Sequence, residues 1–221
     1  MIRKISIILA TVITLGGLSA CSSDNGQQAI YMVVDTSGTY AREAGKARDI
    51  LKYLLINANP GDTLAIAKIN SKSYSEKNIV AKVTLDRVPS KANDQKKQFS
   101  AETDRFVKQI QKTRGSAYTD ISGAIILATE FLRETGASKK TIVIFSDMKQ
   151  ELGKNTVRNF DYDVKGINFV VINIVKLRSD NVDPRRYQKR METWQTKLMA
   201  SGATGWDVIT DMDKVSQAFP S

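Results

Sequence analysis

The chain has 221 residues, with 33 Lys and Arg against 23 Asp and Glu for a formal net charge of +10, and the apolar and charged fractions of an ordinary globular protein. It contains no histidine and a single cysteine, Cys21, which excludes a Ser-His-Asp or Cys-His nucleophilic site, a His-ligated zinc, an internal disulfide and a thiolate metal cluster. The length suffices for one domain with a sizeable core behind a leader, and the basic balance favours anionic partners such as lipid headgroups or an acidic polymer without naming one.

The N-terminus reads as a leader. Met1-Ile2-Arg3-Lys4 is basic, Ile5 to Leu18 is an apolar run broken by Gly16-Gly17, and Leu18-Ser19-Ala20 supplies small residues ahead of Cys21. This is the three-part layout of a secretory signal, too short for a comfortable membrane span. Removing residues 1–20 takes away Arg3 and Lys4 and leaves +8. Leu-Ser-Ala-Cys resembles the lipobox of bacterial lipoproteins, a resemblance that implies cleavage before Cys21 and a diacylglycerol on that Cys, usually with a further acyl chain; two or more chains anchor a protein stably where one does not. Ser22, in place of Asp, implies outer-membrane sorting in an organism with two membranes. Residues 21–27 are polar and read as a tether. Residues 28–221 read as one domain.

That domain opens with Ala29-Ile-Tyr-Met-Val-Val-Asp35, a short, apolar, β-branched run of the kind that forms a buried strand, ending in an acid. Ser37 and Thr39 follow at alternate positions around Gly38. A carboxylate and two hydroxyls are hard oxygen donors suited to Mg²⁺, Mn²⁺ or Ca²⁺, and sites in open α/β sheets lie beyond the carboxyl ends of strands. Residues 40–57 carry Ala44, Ala47, Ile50, Leu51, Leu54 and Leu55 at helical spacing. Asn59-Pro-Gly-Asp62 signals a turn. Thr63 to Ile69 reads as a strand and Asn78 to Leu85 as another, joined by a hydrophilic hairpin connection. Pro89 to Gln98 is charged and loop-like. Phe99, Thr103, Phe106 and Ile110 then mark a helix that Gly115 would end.

Gly115-Ser-Ala-Tyr-Thr119-Asp120 forms a loop leading into a helix through Ile121, Ala124, Ile125, Ala128 and Leu132, closed by Gly136. Thr141-Ile-Val-Ile-Phe-Ser-Asp147 is a second apolar strand ending in an acid. Asn168 to Val175 is a third buried strand; Tyr187, Met191, Trp194 and Leu198 give a helical stripe, followed by a short strand Trp206–Ile209 and a helix from Asp211 to Phe219. Strands alternating with helices predict an α/β fold, a doubly wound, mostly parallel sheet with helices on both faces.

Asp35-x-Ser37-x-Thr39 resembles the metal-ion-dependent adhesion site of von Willebrand factor A domains, Asp-x-Ser-x-Ser, with Thr39 supplying the last hydroxyl. The resemblance covers nearly all of residues 28–221. It implies one short antiparallel edge strand, assigned to residues 78–85, and two further ligands: Thr119 from a second loop and Asp147 from a third. Ser37, Thr39 and Thr119 would bind the ion directly, Asp35 and Asp147 directly or through water. An open position is left for a carboxylate of a protein partner. Met148 stands where many members have Gly and would shape the rim. Taken singly, the same residues also suit helix caps, and Asp120 reads equally as a cap or as support behind the metal.

Asp183-Pro-Arg185-Arg186 opens a basic run which, with Lys176 and Arg178, falls on the side of the metal loops; it reads as a solvated helix face or as a surface for an anionic partner. The alternatives to a cation-dependent binding module are a metal-dependent hydrolase and a metal-free scaffold domain. Asp35-Thr-Ser-Gly-Thr39 superficially resembles the aspartyl-phosphate loop of haloacid-dehalogenase phosphatases, but the second Asp of that loop is Ser37 here, and without histidine general acid–base candidates are poor. No aromatic platform for nucleic acid and no Gly-x-Gly-x-x-Gly after the first strand is present.

Overall fold

The computed structural model describes residues 26–158, 162–173, 180 and 182–219. Their centre is a six-stranded sheet in the order β3-β2-β1-β4-β5-β6, made of β1 (Gln28–Asp35), β2 (Thr63–Ile69), β3 (Ile79–Thr84), β4 (Lys139–Phe145), β5 (Ile167–Ile172) and β6 (Gly205–Ile209). All neighbours are parallel except β2 and β3, so β3 is the expected antiparallel edge strand. The helices are α1 (Gly38–Arg42), α2 (Ala44–Asn57), α3 (Pro89–Gln111), α4 (Ile121–Glu134), α5 (Pro184–Ala200) and α6 (Val215–Ala218).

Strand alternation divides the interior in two. Ile30, Met32 and Val34 of β1 enter one core with Leu54 of α2 and Phe99, Phe106 and Ile110 of α3. Ala29, Tyr31 and Val33 enter the other with Ile125 and Leu132 of α4 and Trp194 and Leu198 of α5. A central parallel strand covered on both faces needs apolar residues at every position, which is why β1 reads as a continuous run.

Three local expectations are corrected. Residues 89–98 are the first turns of the 23-residue α3 and not a loop. Pro89 takes an early helical position where its missing N–H costs nothing, and Ala92 continues the buried stripe of Phe99, Phe106 and Ile110; the charged residues between them face water. α3 also stops at Gln111, short of Gly115. The single helix expected after Thr39 is broken at Glu43, whose φ of −91° and ψ of 3° separate α1 from α2. The third buried strand ends at Ile172 within the described residues, and residues 174 and 175 lie outside them.

Candidate metal centre

β1 and β4 lie side by side, in register at Val34 and Phe145. β1 leads away to β2 on one side, whereas β4 continues to β5 on the other, so the crevice beyond their carboxyl ends is the switch point where doubly wound sheets hold ligands. Asp35 and Asp147 both stand at its mouth.

Asp35 is 2% exposed. Its Oδ1 accepts the Ser37 N–H at 2.7 Å and its Oδ2 accepts the Ser146 hydroxyl at 2.9 Å. Burial raises its pKa; hydrogen bonds from Ser37 and Ser146 oppose that rise, and the charge of Glu151 adds to it. Asp147, 5% exposed, accepts the Lys149 N–H on Oδ1 at 2.8 Å. Burial first, then repulsion by Asp35 and Asp180, pushes it up to about 6 against the Lys149 N–H and Arg190. Arg190 donates to the Asp147 carbonyl at 2.7 Å and is held by Asp180 at 2.6 Å.

The three loops are stitched to one another by backbone. Ser116 N–H donates to the Thr36 carbonyl at 2.8 Å, in a parallel bridge between Ser37 and Ser116. Gly115 makes this contact possible: at φ +79°, a Cβ there would lie 2.6 Å from the Thr36 carbonyl oxygen. Thr119 is 4% exposed and exchanges backbone hydrogen bonds with Glu151 at 2.8 and 3.0 Å, joining the second loop to the third. Thr36 fastens the first loop to β2, its hydroxyl donating to the Ile69 carbonyl at 2.7 Å. Asp35, Ser37, Thr119 and Asp147 thus stand on interlocked loops at one end of the sheet. The backbone of Thr39 lies in α1, and its side chain is outside what the structure describes.

No family model matches this sequence, and no curated protein does. Solved structures do. The pilus adhesin SpaC of Lactobacillus rhamnosus GG, in its open conformation, superposes with a TM-score of 0.51 at 15% identity over 87% of this chain. A von Willebrand factor type A protein of Catenulispora acidiphila gives 0.51 at 14% identity, also over 87%. The chain has a von Willebrand factor A-type fold. It spans 29% of the first of those chains and 41% of the second.

Within this A-type fold the donor chemistry fits a hard divalent ion. Two carboxylates are buried, the charge of Asp147 disfavoured further by Asp35 and that of Asp35 by Glu151, beside hydroxyl-bearing loops and with Arg190 as the cation felt by Asp147. Among the described residues no cluster of three or more His, Cys, Asp or Glu converges on one point, so an ion here would depend on hydroxyls and water for most of its shell.

Asp120 is a cap. Its Oδ1 accepts the Gly123 N–H at 2.9 Å and its Oδ2 the Ser73 N–H at 3.0 Å, while Arg158 forks onto both oxygens at 3.0 and 2.6 Å. Met148 does not shape a rim. It adopts φ 61°, is fully buried in the α4–α5 core, and its carbonyl accepts the Trp194 indole N–H at 2.9 Å. Arg185 and Arg186 are exposed in the first turn of α5 and pair with Asp183 at 2.9 and 3.9 Å, as a solvated helix face does. Cys21, Lys176 and Arg178 lie outside the described residues.

Nothing in the sequence alone marks Ser146, Arg158 or the close approach at Gly115, whereas Arg190 closes the basic run that begins at Asp183. Ser146 follows from the strand register: with Val34 opposite Phe145, the next parallel step sets Asp35 beside Ser146. Arg158 reaches Asp120 from a segment with no spacing relation to it.

Proposed function

We propose that this protein is a lipid-anchored binding module of the bacterial cell envelope. Asp35, Ser37, Thr39, Thr119 and Asp147 hold one divalent cation, Mg²⁺ or else Mn²⁺ or Ca²⁺, which captures an acidic side chain of a protein partner. The observation that carries this reading is the pair of buried carboxylates at adjacent strand ends, each charge disfavoured by burial and Asp147 further by Asp35; a bound cation offsets both penalties. The ion supplies Lewis acidity towards an incoming carboxylate. The chain's own part is to orient the donors: Ser37 and Ser146 fix the Asp35 carboxylate, and Lys149 fixes that of Asp147. The likeness to a pilus adhesin agrees with a binding role.

The anchor rests on Leu18-Ser19-Ala20-Cys21, and Ser22 favours the outer membrane, facing the periplasm, where two membranes exist. A hydrolytic reading finds little support in the side chains. Ser146, the hydroxyl bonded to Asp35, is fully buried and unavailable as a nucleophile.

The test is capture of an envelope protein by the immobilised chain in Mg²⁺ buffer. Chelator should release the partner, and a Thr119→Ala resin should fail to capture it. Capture that survives both changes contradicts the proposal, as does cation-dependent turnover of phosphoesters or peptides that Asp147→Ala abolishes.

A further inference from the structure

A cavity of about 690 Å³ lies between the C-terminal half of α3 and strands β2 and β3, bordered on one side by Thr36 and Ser116 of the interlocked loops. Its volume is in the range of ligand pockets. Val80, Phe106 and Ile110 give it an apolar lining, and Lys68, Lys77 and Arg105 stand around that lining with one acid, Glu102.

Lys68 is the unusual member. It alternates with Leu64 and Ile66, so its side chain leaves β2 on the face that builds the α2–α3 core. It is half-buried there, one residue before the strand ends. Among the described residues neither Lys68, Lys77 nor Arg105 makes an ion pair. A half-buried ammonium with no carboxylate within ion-pair distance leaves room for an anionic ligand to supply one.

We propose that this groove binds a short, extended, acidic peptide segment, independently of the cation. Three unpaired cations around an apolar lining suit carboxylates that alternate with apolar side chains, the period of an extended chain. A peptide also brings backbone N–H donors. The apolar lining between the cations suits the alternate side chains of a peptide and offers a bare phosphate group nothing to bury.

The test uses the purified full chain with chelator present throughout, and a fluorescein-labelled octapeptide of alternating Glu and Leu, read by fluorescence anisotropy at low salt. Saturable binding is expected, weakened about tenfold by Lys68→Gln, since one half-buried charge-assisted contact is worth roughly that factor, and about tenfold again by Lys77→Gln with Arg105→Gln, whose two exposed charges are each worth less. Arg185→Glu with Arg186→Glu should leave it unchanged, and a peptide with Gln for every Glu should not bind. Lys77 and Arg105 are exposed, so their replacement does not threaten the fold even if that of Lys68 does. No saturable binding, or equal binding by the Lys77 and Arg105 variant, overturns the proposal. So does uptake of phosphatidylglycerol vesicles, lost in the same variants, with no peptide binding. Because the chelator removes any contribution of an ion, these outcomes leave the cation site to stand or fall separately.

Discussion

Asp147 carries a charge that the folded chain disfavours. Burial and the neighbouring Asp35 push its carboxyl from the ordinary 3.8 up to about 6. A carboxyl with a raised folded value binds its proton more tightly in the folded state, so its favourable contribution is present below the unfolded value near 4 and is lost as pH rises through 6. Two pKa units correspond to about 3 kcal/mol, a ceiling because water entry and relaxation soften the penalty. Asp147→Asn removes the charge and keeps the Oδ1 acceptor that the Lys149 N–H uses. In chelator-treated samples the variant should therefore be more stable than the wild type by about 2–3 kcal/mol near neutral pH, with the gap closing below about pH 4. Urea denaturation followed by far-ultraviolet circular dichroism over a pH series measures it. Saturating Mg²⁺ should raise the wild type by about 2.7 kcal/mol at one hundred times its Kd and leave the variant behind. A variant less stable than wild type in chelator near neutral pH, or a gap that does not change with pH, would show that the folded chain does not disfavour the Asp147 charge.

Arg158→Ala should destabilise by about 3–5 kcal/mol in the same urea assay, because it leaves the Asp120 carboxylate, 0% exposed, without its counter-charge; a change below about 1 kcal/mol would show that the cap bonds alone hold that charge. Gly115→Ala should cost about 1–3 kcal/mol from its φ of +79° and should also weaken cation binding, since the new Cβ would press on the loop that carries Ser37; an unchanged cation affinity would separate that contact from the site. Cys21→Ser should remove the acyl mass from the mature chain and its detergent-phase partitioning, and identical mass and partitioning would defeat the lipoprotein assignment.

The two apolar runs ending in Asp35 and Asp147 were legible because a strand covered on both faces leaves no room for polar residues until it stops. Their adjacency followed from strand order, and with it the place of the candidate site. The first half of α3 was not legible, since Ala92 and Phe99 are its only buried side chains before Thr103 and a stripe that sparse resembles a charged loop. The break at Glu43 turns on backbone angles of a residue with no breaker character. Met148 hides its φ of 61° for the same reason: a buried methionine gives no sign of left-handed backbone. The Arg158–Asp120 and Arg190–Asp180 pairs depend on where loops return to the sheet, which no periodicity encodes.

Isothermal titration of Mg²⁺ and then Mn²⁺ into the chelator-stripped chain decides whether these interlocked loops bind one divalent cation. Asp35→Asn and Thr119→Ala serve as the comparison; the Asn keeps an oxygen for the Ser37 N–H. One-site binding by the wild type, lost in both variants while their circular dichroism stays native, is the predicted result. No binding heat in the wild type, or the same affinity in either variant, would contradict it.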